Sequence, residues 1–362
     1  YPGGNPLPSI FTPTSSFPLS GDYDNIRMHA KSTYVQQWNL SLQRQVGANW
    51  LFTANYLGNE DVHLWGPQYQ LNYALFTPTA AIGNIPQRRI LTLANPAMGQ
   101  YYNGIGETED GGTGSYNALL ISLQRRRAKG LTISGNYTWS HCISDGVISQ
   151  PGSTGITPGR RKVLRGNCGT NSGSTGLTSV SGGDRRHVLS VSAVVESPRL
   201  SNTTLRLLGS GWQLSGILQL QSGSSFTVNS GTDVTLTGTT DNQRALQILA
   251  DPYMPNKNRD QWLNPNAFVR PANGQYGNAA NSIRGPGIFQ LVTGLTRKFA
   301  LREGQSVEFR AEAFNLTNHV NPNNPSLLLN GQTFGKITSA GDPRASGAGD
   351  PRIMQLALKY VF

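Results

Sequence analysis

No apolar run in this sequence approaches the roughly 18 residues that a membrane-crossing helix requires, which excludes helical spans and leaves strands untouched. Charge is also scarce. Asp, Glu, Lys and Arg make up 14% of the 362 residues and apolar residues 37%, against about 25% and 45–50% in ordinary soluble domains. Catalytic constellations are missing too. The five histidines (His29, His63, His141, His187, His319) are dispersed with no metal-ligand spacing. There is neither a phosphate-cradling Gly-rich loop followed by Lys and Ser or Thr nor a nucleophile-elbow pattern. The reading is therefore not an enzyme, with no catalytic residues, no metal and no cofactor. Only two cysteines occur, Cys142 and Cys168. They fall in one connection, where they form a disulfide if it faces an oxidising space and two free thiols otherwise.

What is present is alternation. Leu131, Ile133, Gly135, Tyr137 and Trp139 share one side of a strand, and Thr132, Ser134, Asn136, Thr138 and Ser140 the other, because successive strand residues point to opposite faces. The same period recurs over 37–43, 50–57, 117–125, 187–196, 212–221, 289–299, 305–315 and 353–362. About nine strands result, most near the 9–11 residues of a tilted membrane strand. Short connections (46–49, 127–129, 197–211, 300–304) alternate with long ones (58–116, 141–186, 222–288, 316–352). The predicted fold class is all-β, an antiparallel up-and-down transmembrane β-barrel, represented by about nine C-terminal strands. An up-and-down wall places every short turn at the periplasmic rim and every long loop outside. Residues 1–32, rich in Pro and Gly, then read as an extracellular loop remnant, and 33–362 as the C-terminal portion of the barrel. Gly-Asp-Pro-Arg occurs at both 341–344 and 349–352, a local duplication in a turn-rich loop.

The net charge of +11 invites a nucleic-acid reading, but the basic residues are scattered. The densest groups, Arg125-Arg126-Arg127 with Lys129 and Arg160-Arg161-Lys162, lie at strand ends or in loops. Solvation or contact with anionic lipid accounts for them, and no nucleic-acid partner is expected.

Four groups of side chains follow from the alternation. Glu308, Arg310 and Glu312 lie opposite Val307, Phe309 and Ala311 and are expected to face the lumen. There they form a charge ladder that pairs with neighbouring strands or contacts an internal plug. Trp50, Tyr137, Trp139, Trp212 and Phe299 sit near strand ends on the apolar side, as an interfacial aromatic girdle does. Trp65, Tyr69, Tyr101 and Tyr102 are loop aromatics placed to grip a ligand. Met354, Leu356, Leu358, Tyr360 and Phe362 form the apolar face of the last strand.

Several stretches resemble the barrel of TonB-dependent outer-membrane transporters of the Oar-like group. They are Gln37-Trp38-Asn39-Leu40-Ser41-Leu42-Gln43-Arg44, Tyr137-Thr138-Trp139-Ser140-His141, Asp184-Arg185-Arg186-His187, Gly211-Trp212-Gln213-Leu214-Ser215-Gly216-Ile217, Arg284-Gly285-Pro286-Gly287 and Phe309-Arg310-Ala311-Glu312-Ala313-Phe314-Asn315-Leu316. The resemblance runs from about Tyr34 to Phe362. It implies that Met354 to Phe362 is the signal read by the barrel-assembly machinery, and that Asp184 to His187 anchors a strand end at the outer rim. It further implies a signal peptide, a plug domain, a box contacting the TonB complex and a barrel of about 22 strands. The N-terminal parts are expected outside this chain. The expected function is energised transport of an unidentified substrate across the bacterial outer membrane, with outer-membrane lipid as the surrounding partner. An outer-membrane adhesion barrel without transport is the alternative.

Overall fold

The computed structural model describes residues 19–65, 68–144, 166–168, 184–238, 243–278, 282–340 and 351–362. Nine long strands build one antiparallel sheet: β1 (Tyr34–Val46), β2 (Trp50–Leu64), β3 (Gly112–Ala128), β4 (Leu131–Ser144), β5 (His187–Glu196), β6 (Trp212–Gln221), β7 (Ile288–Arg302), β8 (Gln305–Phe314) and β9 (Ile353–Val361). Each pairs with its sequence neighbours in the order β1 to β9, and a two-residue strand, Gly166–Asn167, adds to the end of β4. This is an up-and-down wall, the partial barrel that the alternation predicts.

The register carries the apolar face unbroken across the wall. Opposed residues share a face, so the face can be followed along Leu40↔Tyr56, Tyr56↔Leu119 and Leu119↔Trp139. At the other end it runs through Leu214↔Leu295, Leu295↔Ala311 and Ala311↔Leu356. These side chains stay uncovered: Leu40 is 61% exposed and Leu358 74%. A wall with leucine rows on its open side is the reverse of a sandwich, in which such rows are buried between layers.

The first four strands run further than alternation predicts. β2 has 15 residues and β3 has 17. The additions, such as Glu60 opposite Ser115 and Asp61 opposite Gly114, lie at the long-loop end. Alternation marks only the stretch where one face meets hydrocarbon. Beyond it both faces are wet, and the hydrogen-bond ladder continues without a sequence signature.

Turn chemistry fits the short-connection rim. Ala128 pairs with Leu131, which leaves a two-residue turn of Lys129 and Gly130, both at positive φ (51° and 73°). That conformation suits the twist of a hairpin, and Gly supplies it without strain. The connection 197–211 departs from a simple turn by containing a short helix, Thr203–Gly209.

The long connections fold. Gly21–Ile26, Tyr102–Thr108 and Gln68–Gln70 make a three-stranded sheet. The described residues of 222–287 and 316–340 build a unit with its own core of Phe226, Val228, Leu263, Phe268, Ile283 and Phe334. Arg88 joins the two regions by donating from Nη2 to the Leu236 carbonyl at 2.9 Å, and Ala74 N–H donates to the Thr237 carbonyl at 2.9 Å. The loops thus form a cap at one rim. Residues 1–18, the basic group at 160–162 and the first Gly-Asp-Pro-Arg lie outside the described residues, as does all but Pro351 and Arg352 of the second.

The face assignment is open to a direct test. Leu358→Arg places a cation on the apolar face and should cost about 2–4 kcal/mol at mid-membrane. Thr138→Arg, on the opposite face, should cost far less. Folding into lipid vesicles, read by heat-modifiable gel migration, distinguishes them, and equal folded fractions would contradict the assigned faces.

Candidate functional site

The wall presents three regions where chemistry concentrates: the polar face of its last strands, the short-turn rim, and the junction between wall and cap.

On the polar face, Arg310 lies between two carboxylates, 2.8 Å from Glu308 and 3.6 Å from Glu312. These contact ion pairs run along β8, and the cross-strand part of the ladder lies at Glu308. The cross-strand neighbours of Arg310 are Thr296 and Ala357, which carry no charge, so among the described residues its acidic partners are two residues away on its own strand. Glu308 is in register with Lys298 and Lys359. Arg310 is 49% exposed, so the pairs contribute little to stability, ~0–1 kcal/mol each. They set the charge of a wet surface.

The aromatic residues divide between two heights. Trp50, Trp212 and Phe299 lie near the short turns, Tyr137 and Trp139 roughly 20–26 Å further along the strand from Leu131. Tyr137 hydroxyl is 2.8 Å from His187 Nδ1. The register reveals a companion that residue counting missed. Arg125 and Arg297 stand on the apolar face, and their guanidinium groups lie over aromatic rings. Arg125 is 5.4 Å from the Trp50 ring centre, and Arg297 is 5.2 Å from Trp212 and 4.4 Å from Phe299. Arg297 also donates to the Leu208 carbonyl at 2.8 Å. A cation at this position keeps its stem on apolar surface and its head at the rim. Met354, Leu356, Leu358 and Tyr360 form the outer row of β9, and the Tyr360 and Phe362 rings stack at 5.9 Å.

At the junction, the structure brings together sequence segments about a hundred residues apart. The Asp184 side chain is 1% exposed and accepts from Arg284 Nη2, with Arg186 at 3.5 Å. Its other carboxylate oxygen accepts from Cys142 N–H at 3.1 Å. Arg284 Nη1 donates to the carbonyls of Asp184 (2.7 Å) and Gly223 (3.2 Å), and Arg185 to that of Ser222 (2.8 Å). Cys142 and Cys168 are joined by a disulfide, with Cα atoms 5.2 Å apart. Cys168 N–H donates to the Cys142 carbonyl, and Asp184 N–H to that of Cys168. Gly223 and Gly285 have no side chain for a packing reason: a Cβ on Gly223 would lie 1.8 Å from the Gly285 carbonyl oxygen. The segments Asp184–His187 and Arg284–Gly287 are therefore two halves of one clasp, which ties the cap to β4 and β5. Sequence reading gave the first half an anchoring role and no role to the second, because the pairing is visible only in three dimensions.

The loop aromatics do not converge. Trp65 donates to the Lys31 carbonyl at 2.7 Å. Tyr69 is buried against Leu71 and Tyr276. Tyr102 packs against Tyr23 at 5.3 Å. Within the cap, Arg244 is 1% exposed, and burial pulls its guanidinium down to about 10, still charged at neutral pH. Among the described residues no group of three His, Cys, Asp or Glu is placed to hold a metal ion, and no helix is long and apolar enough to cross a membrane.

Residues 2–355 match the family described as outer membrane beta barrel domain. No curated protein matches. Among solved structures the chain is similar to the outer membrane transporter YddB from Escherichia coli, with 11% identity and a TM-score of 0.46, covering 95% of this chain and 35% of that one. It is also similar to BauA, the ferric preacinetobactin receptor from Acinetobacter baumannii, with 14% identity and a TM-score of 0.42, covering 91% of this chain and 29% of that one. The chain spans about a third of the length of these structures.

The clasp predicts a local effect. Asp184→Asn leaves two arginines without their carboxylate and should loosen the cap by about 2–3 kcal/mol, less than for a fully buried pair because Arg284 is 27% exposed. Reduction of the disulfide, which spans 26 residues, should remove about 3.5 kcal/mol more by the chain-entropy relation. Both should accelerate limited proteolysis of the cap while β-sheet circular dichroism persists. Unchanged cleavage rates would show that the clasp does not hold the cap.

Proposed function

The chain belongs to the outer membrane beta-barrel domain family, and from that premise we propose that it forms the C-terminal wall of an Oar-like TonB-dependent transporter. Its location is the bacterial outer membrane, where the leucine-rich face meets lipid, the short turns face the periplasm and the cap faces outward. The observation that carries the transporter reading is the open wall. Among the described residues β1 and β9 each pair on one side only, whereas a membrane wall must close to satisfy its backbone. Closure with further strands makes a barrel wider than nine strands, and at the roughly 22 strands that the resemblance implies such a barrel holds a plug in the lumen. Residues 33–362 are assigned to that barrel and residues 1–32 to an outer loop.

The wall's parts then have roles. Glu308, Arg310 and Glu312 face the lumen, where an internal plug docks against an alternating charge. Trp50, Trp212 and Phe299 anchor the periplasmic interface, and Tyr137 and Trp139 the outer one. Met354, Leu356, Leu358, Tyr360 and Phe362 present the strand that the assembly machinery pairs before closure. The cap captures substrate, and the TonB complex drives its release inward through parts beyond this chain. No step makes or breaks a covalent bond.

A second reading, an adhesion barrel, draws on the cap's separate core, since a rigid outward surface also serves surface binding. Accumulation separates the two. Cells carrying the full gene are supplied with labelled ferric siderophores, cobalamin and oligosaccharides, with TonB intact or deleted. Transport predicts uptake of at least one ligand that disappears with TonB while surface binding remains. Binding without TonB-dependent uptake would overturn the transport reading in favour of adhesion.

A further inference from the structure

The apolar face of the wall carries charge of one sign at one height. Among the described residues, the charged side chains on that face within the leucine-rich span are Arg44, Arg125 and Arg297. Each lies within two cross-strand rows of the short-turn rim. Glu60 shares the face but stands in the overrun of β2 at the other rim. The polar face, by contrast, mixes Glu308 and Glu312 with Arg310, Lys298 and Lys359. A cation facing lipid is costly at mid-bilayer and tolerated near the interface. Rising to water alone would suit lysine as well as arginine. All three residues here are arginine, whose planar fork matches the oxygens of a phosphate.

Arg297 is already engaged. It is 8% exposed, lies between two aromatic rings and donates to the Leu208 carbonyl. Arg44 and Arg125 differ. Arg44 is exposed and Arg125 half-buried, and neither forms an ion pair among the described residues. The register sets them on either side of one tryptophan. Val46, Trp50 and Arg125 make one cross-strand row, and Arg44, Phe52 and Leu123 the next. Two strand spacings and one row separate the arginines, about 12 Å between Cα atoms. Two extended side chains close that gap around a single phosphate group. The Arg125 guanidinium lies over the Trp50 ring at 5.4 Å. Stacking uses the flat face of the group and leaves its in-plane donors for an oxyanion. Its Nη2 makes one long bond, 3.4 Å to the Ala128 carbonyl. Towards mid-membrane the same face continues through Leu42 and Leu123, 63% and 41% exposed. Cations at the rim above open apolar surface complement an anionic head on hydrocarbon chains.

We infer that Arg44 and Arg125, on either side of Trp50, hold the headgroup phosphate of an anionic phospholipid, with its acyl chains along Leu42 and Leu123. The lipid belongs to the leaflet at the short-turn rim, the periplasmic one in the orientation given above. The site needs the apolar face in a bilayer and no energy coupling, so it is the same under transport and adhesion.

The test uses the full-length protein, in which β1 has its other neighbour. It is purified in neutral detergent and mixed with equimolar phosphatidylglycerol and phosphatidylcholine. Lipids retained on the folded protein are counted by native mass spectrometry. Phosphatidylglycerol should be retained in preference. Arg44→Gln and Arg125→Gln should each weaken that preference about fivefold at this site, and together they should remove one bound phosphatidylglycerol. A charge-matched pair on the exposed cap, Arg259→Gln with Lys336→Gln, should leave retention unchanged. Heat-modifiable migration shows that each variant is folded, and the comparison of the two lipids on the unaltered protein needs no variant. Equal retention of both lipids, or a preference that survives the double substitution, would overturn the proposal. So would an Arg44→Gln protein that binds as the unaltered one does, since the site needs both arginines. Equal loss in the cap variant would reduce the effect to net charge, and displacement by inorganic phosphate would make this a site for a soluble anion; either result also overturns it.

Discussion

In hydrocarbon no water is present to satisfy a peptide group, so each N–H and C=O within the membrane must find its partner inside the wall. Nine strands paired in sequence order meet that constraint from β2 to β8 on both edges. The rest of the architecture follows. Strands that turn back on their neighbours must alternate direction, so the connections sort onto two rims. Strands with one face in lipid and one in water must alternate side chains, and the register keeps leucine against leucine across the wall.

The two rims solve different problems. At the periplasmic rim the chain turns quickly, and Lys129-Gly130 does so in two residues. Here Arg125 and Arg297 stand on the apolar side with their heads over Trp50, Trp212 and Phe299. The ring faces accept the cations while the aliphatic stems lie on apolar surface, so a charge stays at the rim without being drawn into hydrocarbon. At the outer rim the ladders overrun the bilayer and give rise to loops long enough to build a core of their own.

That core makes the described part of the cap a packed unit and not a set of tethers. The Asp184–Arg284 clasp and the disulfide fix it to the wall, and Arg88 fixes its two halves to one another. A packed cap can keep a guanidinium such as Arg244 away from water. A flexible loop would let such a charge move out to solvent.

The wall is legible in local pattern. Alternation located all nine strands, and β5 and β6 matched to the residue, because a face in hydrocarbon tolerates only apolar side chains at every second position. Connection lengths determined which rim is which. The outer ends of β2 and β3 were illegible, since a strand with two wet faces has no period to read. The cap, the clasp and the rim arginines emerge only when distant segments pack together. Asp184 and Arg284 lie a hundred residues apart, and nothing local links them. Arg125 and Arg297 look like ordinary strand-end charges until the register places an aromatic ring beneath each. Arg244 sits in a connection without periodicity, and its burial comes from long-range packing around Phe268 and Ile283, which no local pattern encodes.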